Sequence, residues 1–206
     1  MSDRAAWFAP IVLSGNSVRL EPLSAEHLDG LTEAGSDPRI WPWMPADGST
    51  AKGMAAIVEA ALGSQAAHTA VPFAIVERGS GRIVGSSRYL NLVPEDLRLE
   101  IGWTWLDPTY QRTAVNTETK LLMLGHAFDV LDCRRVELKT DALNEPSRTA
   151  ILALGATFEG IFRKHMVMAR GRARDTAYYS IVDEEWPAVQ AGLLARLERH
   201  RPSGRA

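Results

Sequence analysis

Pro108 to Lys120 (PTYQRTAVNTETK) is the stretch best suited to hold an anion. It leaves a β-rich run and enters an amphipathic helical pattern. The start of a helix offers unpaired N–H groups and the positive end of the helix dipole, and both suit a phosphate or pyrophosphate. No proline stands between Thr109 and Lys120, so every backbone N–H in the turn is able to donate. Asn116 is expected to cap the helix through its side-chain oxygen, and Arg112 and Lys120 add positive charge nearby. Many strand-to-helix turns share this form, so the neighbouring elements have to say what it serves.

Those elements read as a mixed α+β chain. Alternation predicts a strand over 17–23, two more over 71–77 and 82–92 joined by a turn at Gly79–Gly81, and a fourth over 97–106. Ser24 is placed to cap a short helix, and residues 51–64 read as a second one. A long helix over 117–131 carries Leu121, Leu124, Phe128 and Leu131 on one stripe. It is followed by a strand at 134–141 and a helix at 144–156 closed by Gly155. A hairpin is expected around Arg170–Gly171–Arg172, and a last helix opens at Trp186–Pro187. Repeats and linkers are absent, so the 206 residues are expected to form one domain, with an N-terminal extension over about 1–12 and a frayed C-terminus from about 200.

Composition narrows the function classes. A formal net charge of -2 does not suit nucleic acid or an anionic membrane as partner. The basic C-terminal cluster of Arg196, Arg199, His200, Arg201 and Arg205 reads as a solvated helix end. Cys133 is the only cysteine, so no disulfide framework or cysteine metal site is expected, and it reads as a small buried hydrophobe. The histidines and carboxylates show no metal-ligand spacing, so no metal is expected. Without a long apolar run or a signal-peptide pattern, a cytoplasmic protein is the expectation.

Four stretches in order resemble the GCN5-related N-acetyltransferase (GNAT) superfamily, and within it the RimJ/RimL-type N-terminal acetyltransferases of ribosomal proteins. They are VRLEPL, EIGWTWLDPTYQRTAVNTETKLLMLGHAFDVL, CRRVELKTDALNEPSRTAILALGATFEG, and FRKHM with the later RDTAYYS. The resemblance implies a GNAT fold: a central, mostly antiparallel mixed sheet of about seven strands, helices on both faces, and two diverging parallel strands that form a CoA cleft. It implies acetyl-CoA as donor and a protein N-terminal or small-molecule amine as acceptor, with the protein a monomer or homodimer.

Carried over residue by residue, the resemblance makes Gln111, Arg112, Thr113, Ala114, Val115, Asn116 and Thr117 the cradle of the CoA pyrophosphate. Trp103, Thr104, Trp105 and Leu106 would follow the pantetheine arm, with Asn144 facing it. Two positions depart from the superfamily pattern. Ala114 and Asn116 stand where glycines are usual, and asparagine tolerates the left-handed region next best. Ile151 stands where many members place a proton-donating tyrosine, and Ser147 matches the serine that RimL-type enzymes use instead. The attacking amine must be neutral, which at pH 7 costs roughly 1.4 kcal/mol for an α-amine and more than about 4 for a lysine. Glu100, matching the RimL-type glutamate, is expected to take its proton through one water. Trp103 and Trp105 could instead be core, Glu100 a solvent-facing strand residue, and Ser147 an early helix residue after the Asn144 cap. Trp41, Trp43 and Met44, on a proline-rich loop, are candidates for the acceptor pocket. The alternative, prompted by Ala114, Asn116 and Ile151, is a CoA- or acyl-CoA-binding module with weak or lost transferase activity.

Overall fold

A computed structural model describes residues 4–168 and 171–200 and threads eight strands into one sheet. The strands are β1 (Leu13–Ser14), β2 (Val18–Pro22), β3 (Ala70–Glu77), β4 (Ile83–Val93), β5 (Arg98–Leu106), β6 (Arg135–Asp141), β7 (Thr157–Val167) and β8 (Ala173–Val182). Their spatial order is β1-β2-β3-β4-β5-β6-β8-β7. Neighbours run antiparallel except β5 and β6, which are parallel. The strand beyond the expected seven is β1, a two-residue piece too short to register as alternation.

The helices are α1 (Leu28–Ala34), α2 (Ala51–Ala66), α3 (Ala114–Gly125), α4 (Glu145–Leu152) and α5 (Trp186–His200). Successive side chains of a strand point to opposite faces, and β3 shows the result. Phe73 and Ile75 enter one core with Met123 and Leu124 of α3 and Leu193 of α5. Ala74, between them, enters a second core with Leu31 of α1 and Met54 and Val58 of α2. The expected helices on both faces are present. Trp7, within the stretch expected to be an extension, is 1% exposed in the first core. Arg170, Arg201 and Arg205 lie outside the described residues.

The long helix starts three residues earlier than its apolar stripe suggests and ends in a wide π-type turn over His126–Val130. Thr113 is its N-cap. Glu118 fixes its position from the far side: its carboxylate accepts the backbone N–H groups of Asn16, Ser17 and Val18 at 2.6–2.8 Å. The turn between β1 and β2 is thereby tied to the helix whose first turn faces the cavity described next.

Candidate active site

β5 and β6 pair through three residues only: Arg98 with Arg135, Leu99 with Val136, and Glu100 with Glu137. Beyond them β5 stays with β4 and β6 stays with β8, so the two parallel strands part. The gap opens into a cavity of about 590 Å³, bordered by both strands, the start of α3, one face of α4 and the loop at 39–45.

A β-bulge shapes the β5 wall. Ser86 pairs with Trp105 and Arg88 with Gly102, which leaves Trp103 and Thr104 opposite Ser87 alone. Trp103 takes a left-handed φ of 51°, unusual for so large a side chain. The Arg88 guanidinium lies 4.4 Å from the centre of its ring, and Ser87 Oγ meets Thr104 Oγ1 at 2.7 Å. Lys120 Nζ donates to the same Thr104 oxygen at 2.6 Å, so α3 also holds the bulge. Lys120 is buried, and that burial pushes its pKa down to about 7. Trp103, Thr104, Trp105 and Leu106 all border the cavity, and both tryptophans also pack on the second core.

At the start of α3, the left-handed residue is Arg112, with φ 61°. Asn116 neither caps the helix nor takes that conformation; it is the third residue of α3. The cap is Thr113, whose hydroxyl accepts the Val115 N–H at 3.3 Å. Reversing the chain at Arg112 brings the helix in three residues sooner and places Thr113 where a cap must stand. Gln111, Arg112 and Asn116 border the cavity, whereas Thr113, Ala114, Val115 and Thr117 do not. Val115 and Thr117 point into the interior, 4% and 3% exposed.

Glu100 is 1% exposed and lies at the apex of the gap. Its Oε2 accepts Asn91 Nδ2 at 2.8 Å and meets Lys139 Nζ at 2.8 Å. Asn91 reaches it from a left-handed position (φ 47°) at an irregularity in β4. A Cβ on Gly102 would fall 2.8 Å from Glu100 Oε1 and 2.9 Å from Leu90 Cδ1. Gly102→Ala should therefore displace the carboxylate more than it disturbs the fold, since a carboxylate at the end of a side chain moves more easily than backbone. We expect a loss of turnover of at least about tenfold with a destabilisation of only about 1–2 kcal/mol. Thiol release and urea unfolding would check the pair of values; normal turnover would show that Oε1 has no fixed role.

Asn144 caps α4 by accepting the Ser147 N–H at 3.2 Å, and both residues border the cavity, as Ile151 does. Trp43 and Met44 form part of the opposite wall. Trp41 does not: it is 4% exposed, its Nε1–H donates to the Gly35 carbonyl at 2.8 Å, and its ring packs 5.2 Å from that of Trp105. The proline-rich loop thus buries one of its tryptophans and leaves the other at the cavity. Cys133 is buried, and burial, with Asp132 nearby, pushes its thiol up to about 12, so it is no nucleophile.

Residues 17–157 match the family profile described as Acetyltransferase (GNAT) domain. The chain belongs to the GNAT acetyltransferases. Its structure resembles that of a GCN5-related N-acetyltransferase from Brucella melitensis, with a TM-score of 0.87 and 33% identity, covering 96% of this chain and 90% of that one. By sequence it is 25% identical over 172 residues to the uncharacterized N-acetyltransferase p20 of Bacillus licheniformis, across 81% of this chain and 93% of p20. It is 27% identical over 106 residues to the putative ribosomal N-acetyltransferase YdaF of Bacillus subtilis, across 52% and 57% of the two chains.

In this GNAT domain the cavity brings together Glu100, the bulged β5 strand, the α3 start, Asn144 and Ser147. Among the polar residues on its wall or at Glu100 that were not expected as site residues are Asn91, Lys139 and Arg174, while Lys120, expected only as nearby positive charge, is on the wall itself. Lys139 was within reach of the sequence, because β6 alternates and the parallel pairing of Glu100 with Glu137 puts Lys139 on the Glu100 face. Asn91 carried a weaker signal as an asparagine interrupting an apolar strand. Arg174 comes from β8, two strands away from β5; it opens the RDTAYYS stretch, but its place at the cavity depends on strand order that the stretch alone does not give.

Proposed function

We propose that this GNAT domain acetylates an amine by direct transfer in the cavity between β5 and β6, in the manner of the RimJ/RimL-type branch. The acceptor is a protein N-terminal α-amine or the amine of a small molecule. The observation that carries the reading is that Glu100, Ser147 and the start of α3 all open onto one cavity where parallel pairing stops. The name of YdaF supports the branch, and an α-amine is the easier of the two amine types to deprotonate.

Acetyl-CoA, the donor of the family, supplies a thioester carbonyl as electrophile and a thiol as leaving group. The residues present suit it. Arg112 and the unpaired N–H groups at the start of α3 would hold the pyrophosphate. The unpaired edge of β5 along Trp103–Leu106 would take the pantetheine arm as an added strand, with Asn144 across the gap. Glu100 Oε1 takes the proton of the incoming amine through one water, while Lys139 and Asn91 keep Oε2 in place. Ser147 Oγ gives a proton to the departing sulfur. Trp43 and Met44 border the acceptor. Glycine's absence at 114 and 116 matters little in this reading, because Arg112 supplies the left-handed turn and Ala114 does not border the cavity.

The test is mass spectrometry of an amine and peptide library after incubation with the protein and acetyl-CoA. Acetylated products are expected, with one thiol released for each. CoA binding without any acetylated product would leave a binding module with lost activity, and no CoA binding would remove both readings.

A further inference from the structure

Arg174 is a buried cation with no counter-charge of its own. It is 5% exposed and borders the cavity. Its side chain makes no hydrogen bond or ion pair with any described residue, and its buried Nε has no partner. Two carboxylates act on it electrostatically, Asp141 and Glu100, yet both are committed elsewhere. Asp141 is paired with Arg172 and accepts the Leu143 N–H at 3.0 Å. Glu100 is held by Lys139 and Asn91. Burial lowers the proton affinity of Arg174 from its ordinary value, with the two carboxylates opposing the shift. Arginine nevertheless stays charged in proteins. A buried guanidinium without an anion costs stability, so its retention beside a cavity calls for an anion that arrives with a ligand.

The donor's pyrophosphate is not that anion. The turn before α3 leaves the far end of β5, and β6 lies between β5 and β8. Arg174 pairs with Met166 on the outer strand and shares a β8 face with Thr176 and Tyr178. Tyr178 stands beside Lys139 on β6, which puts this group around Glu100. The guanidinium of Arg172 lies 5.8 Å from the centre of the Trp43 ring, with its charge balanced by Asp141. Among the described residues bordering the cavity, Glu100 is the single acidic one, against Arg39, Arg112, Lys120, Lys139 and Arg174.

We propose that Arg174 recognises a carboxylate on the acceptor, so that the amine acetylated beside Glu100 belongs to an amino-acid-like molecule or segment carrying that carboxylate a few bonds from its nitrogen. The inference rests on the acetyl-transfer reading of the cavity. A guanidinium meets a carboxylate through two parallel N–H donors, which fixes orientation as well as charge. The same cation disfavours polyamines, whose extra ammonium groups would face Arg174.

The experiment measures thiol release from acetyl-CoA with matched acceptors: a free amino acid and its carboxamide, an N-terminal Ser-Glu peptide and its Ser-Gln counterpart, and spermidine. Each acid should exceed its neutral partner roughly 10- to 100-fold in kcat/KM, mainly through KM. The free amino acid and the peptide distinguish an α-carboxylate from an acidic side chain as the source. In Arg174→Gln the ratio of acid to amide should fall close to one, and Arg174→Lys should keep part of it. Equal kcat/KM for both acid–amide pairs in the unaltered protein overturns the proposal, and so does a ratio that survives in a folded Arg174→Gln. The unaltered protein decides the first point even if the variant does not fold. Transfer to none of these amines, with CoA still bound, would instead show that the acetyl-transfer reading fails, and the carboxylate inference with it.

Discussion

Glu100→Gln is expected to lower turnover by about 10²- to 10⁴-fold, the usual contribution of a positioned general base. The deficit should narrow as pH rises from about 6.5 to 9, because a growing share of an α-amine with pKa near 8 is then neutral without help. Geometry gives the base reading its force. Oε2 is occupied by Asn91 and Lys139, which orient the carboxylate, and Oε1 is the oxygen left for the water that carries the proton. The same pairing predicts a structural cost. Glutamine keeps one carbonyl oxygen for Asn91 but leaves the Lys139 ammonium, with 19% of its side chain exposed, facing a neutral group. The urea midpoint should therefore fall, and restoring charge balance with Lys139→Met in the double variant should recover stability without recovering turnover. Rate–pH profiles of the unaltered protein and Glu100→Gln, with urea melts of these two and of the double variant, measure this. A deficit constant across pH and matched by the melts would make Glu100 a structural residue.

How far the sequence carries depends on whether the signal is local. The alternating stretches at 71–77, 82–92 and 134–141 became strands because apolar side chains at every second position had a core to face. The apolar stripe of the long helix survived in part. Leu124, Phe128 and Leu131 are buried, but Met123 and Ala127 are too, and the apolar face is turned toward them. The early start of α3 was missed because Thr113 looks no more like a cap than Asn116 does until the left-handed turn at Arg112 is known. Trp7 gave no period to read and is held by tertiary packing alone.

The site follows the same rule. Glu100, Asn144 and Ser147 sit within one strand–helix–strand–helix run; they were named through the family resemblance, and all three border one cavity. The loop at 38–50 was legible only as a region. Trp41 and Trp43 are two residues apart in sequence, but the donor bond from Trp41 to Gly35 sends one ring inward. Lys120 is the sharpest case. On the sequence it is one more cation near a helix start, and only burial beneath the bulge changes what it is.

That change predicts how stability depends on pH. Lys120 has an unfolded pKa near 10.5 and a folded value of about 7, lowered by burial. Between those values the unfolded chain binds more protons than the folded one, so stability rises with pH across the window. Below about pH 7 the group is protonated in both states and the full penalty applies; above about 10.5 it is neutral in both and the penalty is gone. The shift corresponds to about 5 kcal/mol at its limit. Lys120→Met removes the buried ammonium while filling similar volume, at the cost of about 1 kcal/mol for the lost bond to Thr104. The variant should be the more stable protein by several kcal/mol at pH 6. The difference should shrink steadily through pH 7.5 and 9 and reverse in sign near pH 10. Comparing urea midpoints of the two proteins at those four values cancels every other titrating group. Parallel curves would mean that Lys120 titrates as an ordinary lysine, with water reaching its ammonium through the cavity. Turnover should fall in the same variant, because the ammonium is one of the ties that hold Thr104 and the bulge in place. Such a protein, more stable and less active, would show that this lysine is kept for the cavity at the expense of the fold.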